Sequence, residues 1–285
     1  MSTIGYGSRR RATLVREELV KLPAFLRRDL LVTLSYRVAF LADLGSLFTQ
    51  ALLFFYVGKL VDPATLPVIG GTRVTYLEFV AVGIAVGVFV QLGLGRVSVA
   101  FRQEQLMGTL ESMLVTPTAV STIQLGSVAF DLVYVPLRTL LFLGVMAGVF
   151  DFGLRPEGLL PTVVVLLAFI PFVWGLGVLS AAAILTFKRG AGLTGIAGTF
   201  LTLGSGAYFP LEVLPDWVGT TAELNPIAVA LEGVRDLLLG SAGWADGVTV
   251  ALRLVPFSAL ALLLGVAAFH AALRRERARG SLGFY

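Results

Sequence analysis

Four uncharged runs dictate what this chain can fold into: Phe79 to Gly95, Gly158 to Phe187, Gly190 to Leu211 and Leu254 to Leu273. Three of them reach or exceed the ~20 residues a helix needs to cross a ~30 Å hydrocarbon core, and the first falls slightly short. A bilayer accepts such runs as helices, in which every backbone N–H and C=O finds its partner inside the segment. Two more stretches carry isolated charges, about Val38 to Gly58 with Asp43, and Ser121 to Val149 with Asp131 and Arg138. Six crossings result, over about 38–58, 77–100, 121–149, 159–187, 190–208 and 250–273. Pro171 is expected to bend the fourth, and neighbouring helices can re-satisfy the freed carbonyl. The composition agrees: 56% of residues are hydrophobic, 14% are charged and the mean hydropathy is +0.87. The expected class is an all-α integral membrane protein.

Orientation follows from lysine and arginine, which accumulate on the cytoplasmic side. The N-terminal part carries Arg9, Arg10, Arg11, Arg16, Lys21, Arg27, Arg28 and Arg37. Arg96 and Arg102 lie at the end of the second crossing and just beyond it, Lys188 and Arg189 follow the fourth, and Arg274, Arg275, Arg277 and Arg279 the last. The segment from Phe209 to Gly247 is acidic instead, with Glu212, Asp216, Glu223, Glu232, Asp236 and Asp246 against Arg235 alone. Both termini are therefore expected in the cytoplasm and 209–247 outside, in a multi-pass protein of the plasma or inner membrane. The net charge of +4 is explained by contact with an anionic inner leaflet and gives no reason to invoke nucleic acid.

Residues 1–37 contain no apolar core of the signal-peptide kind. Positions 12–31 read as an amphipathic helix lying in the inner interface, with Val15, Leu19, Leu22 and Leu26 on one side and Pro23 bending it. A solvated positive anchor is the alternative. Residues 38–273 form the transmembrane domain and 274–285 a basic tail. The chain has no cysteine, which excludes disulfides and thiolate metal sites. Its single histidine, His270, makes no metal site alone. No phosphate-binding loop, HExxH or GxSxG pattern occurs, so neither catalytic residues nor a resident cofactor are expected.

Between the second and third apolar stretches lies FRQEQLMGTLESMLVTPT, Phe101 to Thr118. Met107, Leu110 and Leu114 share one helical face, Glu104, Gly108 and Glu111 another, and Thr116-Pro117 ends the helix. A hydrophobic protein that presents such a segment to water has a soluble partner to meet with it. A connector with no partner is the plain alternative.

These features together resemble the permease subunits of ABC-2 exporters, the transmembrane half of a class of ATP-binding-cassette transporters. The resemblance rests on E-x-x-x-G-T-L-E-x-x-L-x-T-P (Glu104, Gly108, Thr109, Leu110, Glu111, Leu114, Thr116, Pro117). It rests equally on F-P-L-E-x-L-P-x-W (Phe209, Pro210, Leu211, Glu212, Leu214, Pro215, Trp217) and on N-P-x-x-x-x-L-E-x-x-R (Asn225, Pro226, Leu231, Glu232, Arg235). It implies six transmembrane helices, an N-terminal interface helix, a cytoplasmic coupling helix and short re-entrant outer helices. Glu104, Gly108, Thr109, Leu110, Glu111 and Pro117 would then dock into a separate ATP-binding subunit, present in two copies and carrying the ATP and magnesium. A second permease copy, identical or a paralogue, would complete the pathway, and membrane lipids would surround it. Phe209, Pro210, Glu212 and Trp217 would cap the exit as an outer gate; a plain extracellular loop over 209–240 is the alternative.

Charges inside a bilayer cost ~2.5–3.5 kcal/mol each at a helix centre. Asp131 and Arg138 lie on one face of the third crossing, about 10 Å apart by helix rise. They either line a substrate path or pair structurally. Few embedded polar groups and many phenylalanines favour an amphipathic cargo; the resemblance implies a lipid, glycolipid, lipid-linked glycan or hydrophobic drug. Two rivals come from other classes. An ATP-independent carrier or channel needs no partner ATPase. An intramembrane enzyme would need acids such as Asp43 and Asp131 in contact.

Overall fold

A computed structural model describes residues 37–61, 68–106, 131–150, 152–187, 190–213 and 224–279, with a few isolated positions besides. Seven α-helices occur among them: α1 (Arg37–Gly58), α2 (Tyr76–Leu106), α3 (Asp131–Phe150), α4 (Leu159–Phe187), α5 (Gly190–Leu203), α6 (Pro226–Leu238) and α7 (Trp244–Arg279). Two are long and apolar enough to cross a membrane, Pro156–Phe187 and Trp244–Arg275; Phe48–Gly58, Tyr76–Gln91 and Pro136–Phe150 form shorter apolar helices. The chain is an all-α membrane protein in its main architecture.

The core forms around α4 and the first half of α2. From Phe79 to Val90 almost every α2 side chain is buried, Val80, Ala81, Val82 and Ile84 completely. A helix that is apolar all round belongs in the middle of a bundle, and α2 sits there against α4, α1, α3 and α5. Phe89 stacks on Phe169 at 5.7 Å between ring centroids, and Phe169 on Phe172 at 5.5 Å. Stacked rings contribute about 0.5–1.5 kcal/mol each beyond their buried area.

α7 lies along nearly the whole of α4. Small residues permit this: a Cβ at Gly175 would overlap the backbone of Ala261, and a Cβ at Gly265 the backbone of Gly175. In lipid such close approach drives helix association through van der Waals contact. The Ser258 hydroxyl crosses the same seam and donates to Ala168 O at 2.9 Å. α7's other face keeps Leu252, Val255, Leu260, Leu263 and Leu264 exposed, as a lipid-facing stripe requires. α4 runs unbroken through Pro171 and α7 through Pro256.

α3 shows the same division at helical spacing. Arg138, Phe142 and Met146 are buried at i, i+4 and i+8, while Leu137, Leu141, Val145 and Val149 are exposed. Phe150 closes the contact with α1, at 5.8 Å from Phe48 and 5.1 Å from Phe55.

One small feature departs from the all-helical expectation. Val68–Ile69 and Thr72–Arg73 pair antiparallel, Val68 with Arg73 and Ile69 with Thr72. Gly70 (φ 57) and Gly71 (φ 83) supply the two left-handed residues that a tight hairpin turn demands. Two glycines between β-branched residues carried that signal in the sequence; the apolar runs on either side obscured it.

The C-terminal ends of α1, α3 and α5 and the N-terminal ends of α2, α4 and α7 gather at one end of the bundle. α6 and the hairpin close that end, called the capped end below.

Candidate functional site: the capped end of the bundle

α6 is built from the NPIAVALEGVRDLL stretch that begins at Asn225. Asn225 is its N-cap, its side-chain oxygen accepting from Ile227 N at 3.0 Å, and Pro226 occupies the first helical position. Asn225 Nδ2 also donates to Leu201 O at 3.0 Å, fastening the start of α6 to the last turn of α5. Most of α6 is buried, including Ile227, Leu231, Val234, Leu237 and Leu238, while Glu232 and Asp236 face out. The family resemblance implies short helices that dip into the outer leaflet; in the structure α6 packs among α2, α4 and α7.

Arg235 lies on that buried stripe, 5% exposed. Its Nε and Nη2 donate to Phe79 O at 3.3 and 3.1 Å, and Nη2 also reaches Gly206 O at 2.9 Å and Ala207 O at 3.1 Å. The guanidinium stands over the Phe79 ring, 3.5 Å from its centroid. Burial lowers its pKa to about 9 and Glu232 opposes the drop, so it is charged at neutral pH. One side chain therefore ties α6 to the first turn of α2 and to the turn that ends α5. Backbones meet closely beside it, since a Cβ at Gly83 would overlap Ala207 O.

Three further ties surround this one. Tyr76 Oη donates to Tyr208 O at 3.1 Å, and Phe54 of α1 stacks on Tyr208 at 5.5 Å. Thr75 and Glu78 form a capping box at the start of α2: Glu78 Oε2 accepts from Thr75 N (2.6 Å) and Oγ1 (2.9 Å), and Glu78 N donates back to Thr75 Oγ1 (3.3 Å). The other oxygen of Glu78 accepts from Gly153 N at 3.2 Å, which fastens the α3–α4 connection. Arg155 in that connection donates to Gly240 O at 2.5 Å, beyond the C-terminus of α6, and pairs with Glu157 at 3.1 Å. A cation at that helix end also answers its dipole.

A cavity of about 200 Å³ opens beside Arg235, lined by Ile69, Phe79, Ser205, Pro210, Leu211, Glu212, Glu232 and Asp236. Three carboxylates thus stand near the buried cation. Burial, with the neighbouring carboxylate of Asp246, raises the pKa of Asp236.

Of the residues singled out in the sequence, the structure brings Pro210 and Glu212 to this cavity, with Phe209 about half exposed beside them. Trp217 lies outside the described residues, as do Gly108, Thr109, Leu110, Glu111 and Pro117. Glu104 sits on the last described turns of α2, and Asp131 is the first residue of α3. Arg138 is buried on the face of α3 that packs into the bundle. No grouping of histidine and acidic side chains among the described residues suits a metal ion. Thr75, Glu78 and Arg155 went unnoticed in the sequence. T-x-x-E before an apolar run is a readable capping signature, whereas nothing local marks Arg155 as the clasp of a loop some eighty residues away.

The class defined by these features is a helical membrane protein whose bundle is closed at one end by a folded, internally tied cap. A model of the ABC-2 type transporter family matches residues 22–239, and the chain belongs to that family. It is accordingly a permease component of ABC transport and not itself the catalyst. A comparison with curated proteins gave no match.

Proposed function

We propose that this chain is the membrane-spanning subunit of an ATP-driven exporter and forms the translocation pathway with a second permease copy. The observation that carries this reading is the family match over 22–239, which takes in both the charged segment 101–118 and the cap. The capped end faces out, as the charge asymmetry requires, and the basic ends of α2, α4 and α7 face the cytoplasm. An ATP-binding subunit docks on 101–118, chiefly through Glu104 and Glu111, and supplies ATP and magnesium. ATP-driven closure of two such subunits biases the permease pair between access states by its difference in affinity for them. The cargo is amphipathic, because a hydrophilic solute would need a path lined with many more hydrogen-bonding side chains.

The test reverses charge at the docking segment. Glu104→Lys with Glu111→Lys places like charges against the ATPase, which costs several kcal/mol at an interface. The expected result is a folded permease that no longer co-purifies with a co-expressed ATP-binding subunit. Cysteines at Ser112 and Ser241 of this cysteine-free chain should label from opposite sides of the membrane. An intact complex with full cargo-stimulated ATP hydrolysis would remove these glutamates from the docking surface, and labelling of both cysteines from outside would invert the topology.

A further inference from the structure

The geometry points to Arg235 as a two-position latch of the cap, closed on backbone carbonyls and open on the carboxylates of the adjoining cavity. This extends the transport reading above, since a latch has a use only in a chain whose cap moves.

Buried arginines ordinarily rest on a carboxylate, which returns through Coulomb attraction part of what desolvation costs. Arg235 bonds instead to three carbonyl oxygens, those of Phe79, Gly206 and Ala207. Carboxylates are nevertheless close by. Glu212, Glu232 and Asp236 line the cavity whose wall Arg235 forms, and its volume of about 200 Å³ leaves room for a guanidinium. Glu212 comes from the turn after α5, and Glu232 and Asp236 stand one turn apart on α6 itself. Two sets of acceptors thus flank one cation, which Glu232 attracts already in the closed position.

The two sets differ in what they join. The carbonyls belong to α2 and to the turn after α5, so the closed position fastens those elements to α6. The carboxylates belong to α6 and to the 3₁₀ turn Leu211–Val213, so the open position satisfies the cation while releasing Phe79 O, the cation's own hold on the start of α2. Both positions offer charge-assisted bonds, which keeps the difference between them small enough for a modest bias to choose. Ser205, 1% exposed, lines the cavity at this junction, and its accessibility reports the position of the latch.

The test uses Ser205→Cys in the full-length chain, reconstituted in lipid nanodiscs with both faces open to a small maleimide. Glu212→Gln, Glu232→Gln and Asp236→Asn together remove the open-position partners while keeping side-chain size at exposed sites. Labelling should slow by about fivefold or more, within the usual range of coupling between two states. Removing negative charge lowers a thiol's pKa and would by itself speed labelling, so slowing has one source. Arg235→Lys, whose ammonium cannot hold the carbonyls of both elements at once, should speed it. Equal labelling of the parent and the triple variant overturns the latch, whether or not the lysine variant folds. With a co-expressed ATP-binding subunit and ATP, acid-dependent labelling that ATP leaves unchanged would uphold the latch and count against the ATP-driven reading. ATP-stimulated cargo turnover with labelling indifferent to the three acids would do the reverse.

Discussion

Replacing Arg235 by methionine tests how much of the cap rests on one side chain. Methionine preserves much of the apolar stem and deletes the donors. The carbonyls of Gly206 and Ala207 then lose the guanidinium, while Phe79 O keeps its intrahelical partner within α2, and each buried acceptor left without a donor costs ~1–3 kcal/mol. Removing the charge recovers part of this, because a buried cation carries its own desolvation penalty. The balance falls near ~3–5 kcal/mol, the range in which breaking one side of a buried charged contact destabilises a protein.

For a chain of this size each kcal/mol moves the melting temperature by ~2–4 °C, so the variant should melt about 6–20 °C below the parent. Tryptophan fluorescence during heating in nanodiscs reads the transition, with Trp174 of α4 packed against the core. Both proteins need the same scan rate, since unfolding of this kind is often irreversible. Arg235→Lys should fall between the two, keeping the charge without the planar fork. A methionine variant that melts within about 2 °C of the parent would show that the carbonyls re-pair locally, and the account of the cap would be wrong.

Two smaller perturbations probe the ties around it. Thr75→Ala removes the hydroxyl half of the capping box and should cost ~1 kcal/mol, seen as faster amide exchange at Glu78; Glu78→Ala should cost more, because Gly153 N loses its acceptor as well. A normal exchange rate at Glu78 in the alanine-75 variant would deny the cap its role. The cap should also lose stability as pH rises. Asp236 has a folded pKa raised above 3.8 by burial and by Asp246, so the native form holds its proton more tightly than the unfolded chain. That contribution is full below 3.8 and disappears as pH climbs through the raised value. Asp236→Asn should flatten melting temperature against pH in this window, and an unchanged slope would place the titration elsewhere.

Long-period features were legible in the sequence and short-range polar geometry was not. The run from Gly158 to Phe187 and the helix Leu159–Phe187 are nearly the same residues, because an uncharged run of that length has one stable form in lipid. α6 was harder. Its Asn-Pro start is a strong helix signal, but whether its apolar stripe meets lipid or protein depends on α4 and α7, far away in the chain. The role of Arg235 was hidden for a similar reason. A cation between Leu231 and Leu238 on one helical face suggests burial, yet its partners are backbone carbonyls, which leave no trace in side-chain identity. Any residue could supply the oxygen at Phe79.

The distribution of these ties along the bundle has a mechanical consequence. At the capped end, described hydrogen bonds from Arg235, Arg155, Tyr76, Asn225 and Glu78 hold six backbone segments to one another. At the opposite end, the second apolar cluster joins α4 to α7 through Val178, Ala181, Ala182, Leu185, Phe269, Ala272 and Leu273. Apolar contact is non-directional, so helices can slide or tilt against each other while keeping most of it. Bonds to fixed carbonyls break over a fraction of an ångström, because hydrogen bonds weaken steeply outside a narrow range of distance and angle. The α4–α7 contact there can therefore adjust continuously, whereas a tie to a fixed carbonyl is either made or broken. A chain arranged in this way answers a gradual push at one end with an abrupt change at the other, provided that at least one of the capped-end ties has a second place to go.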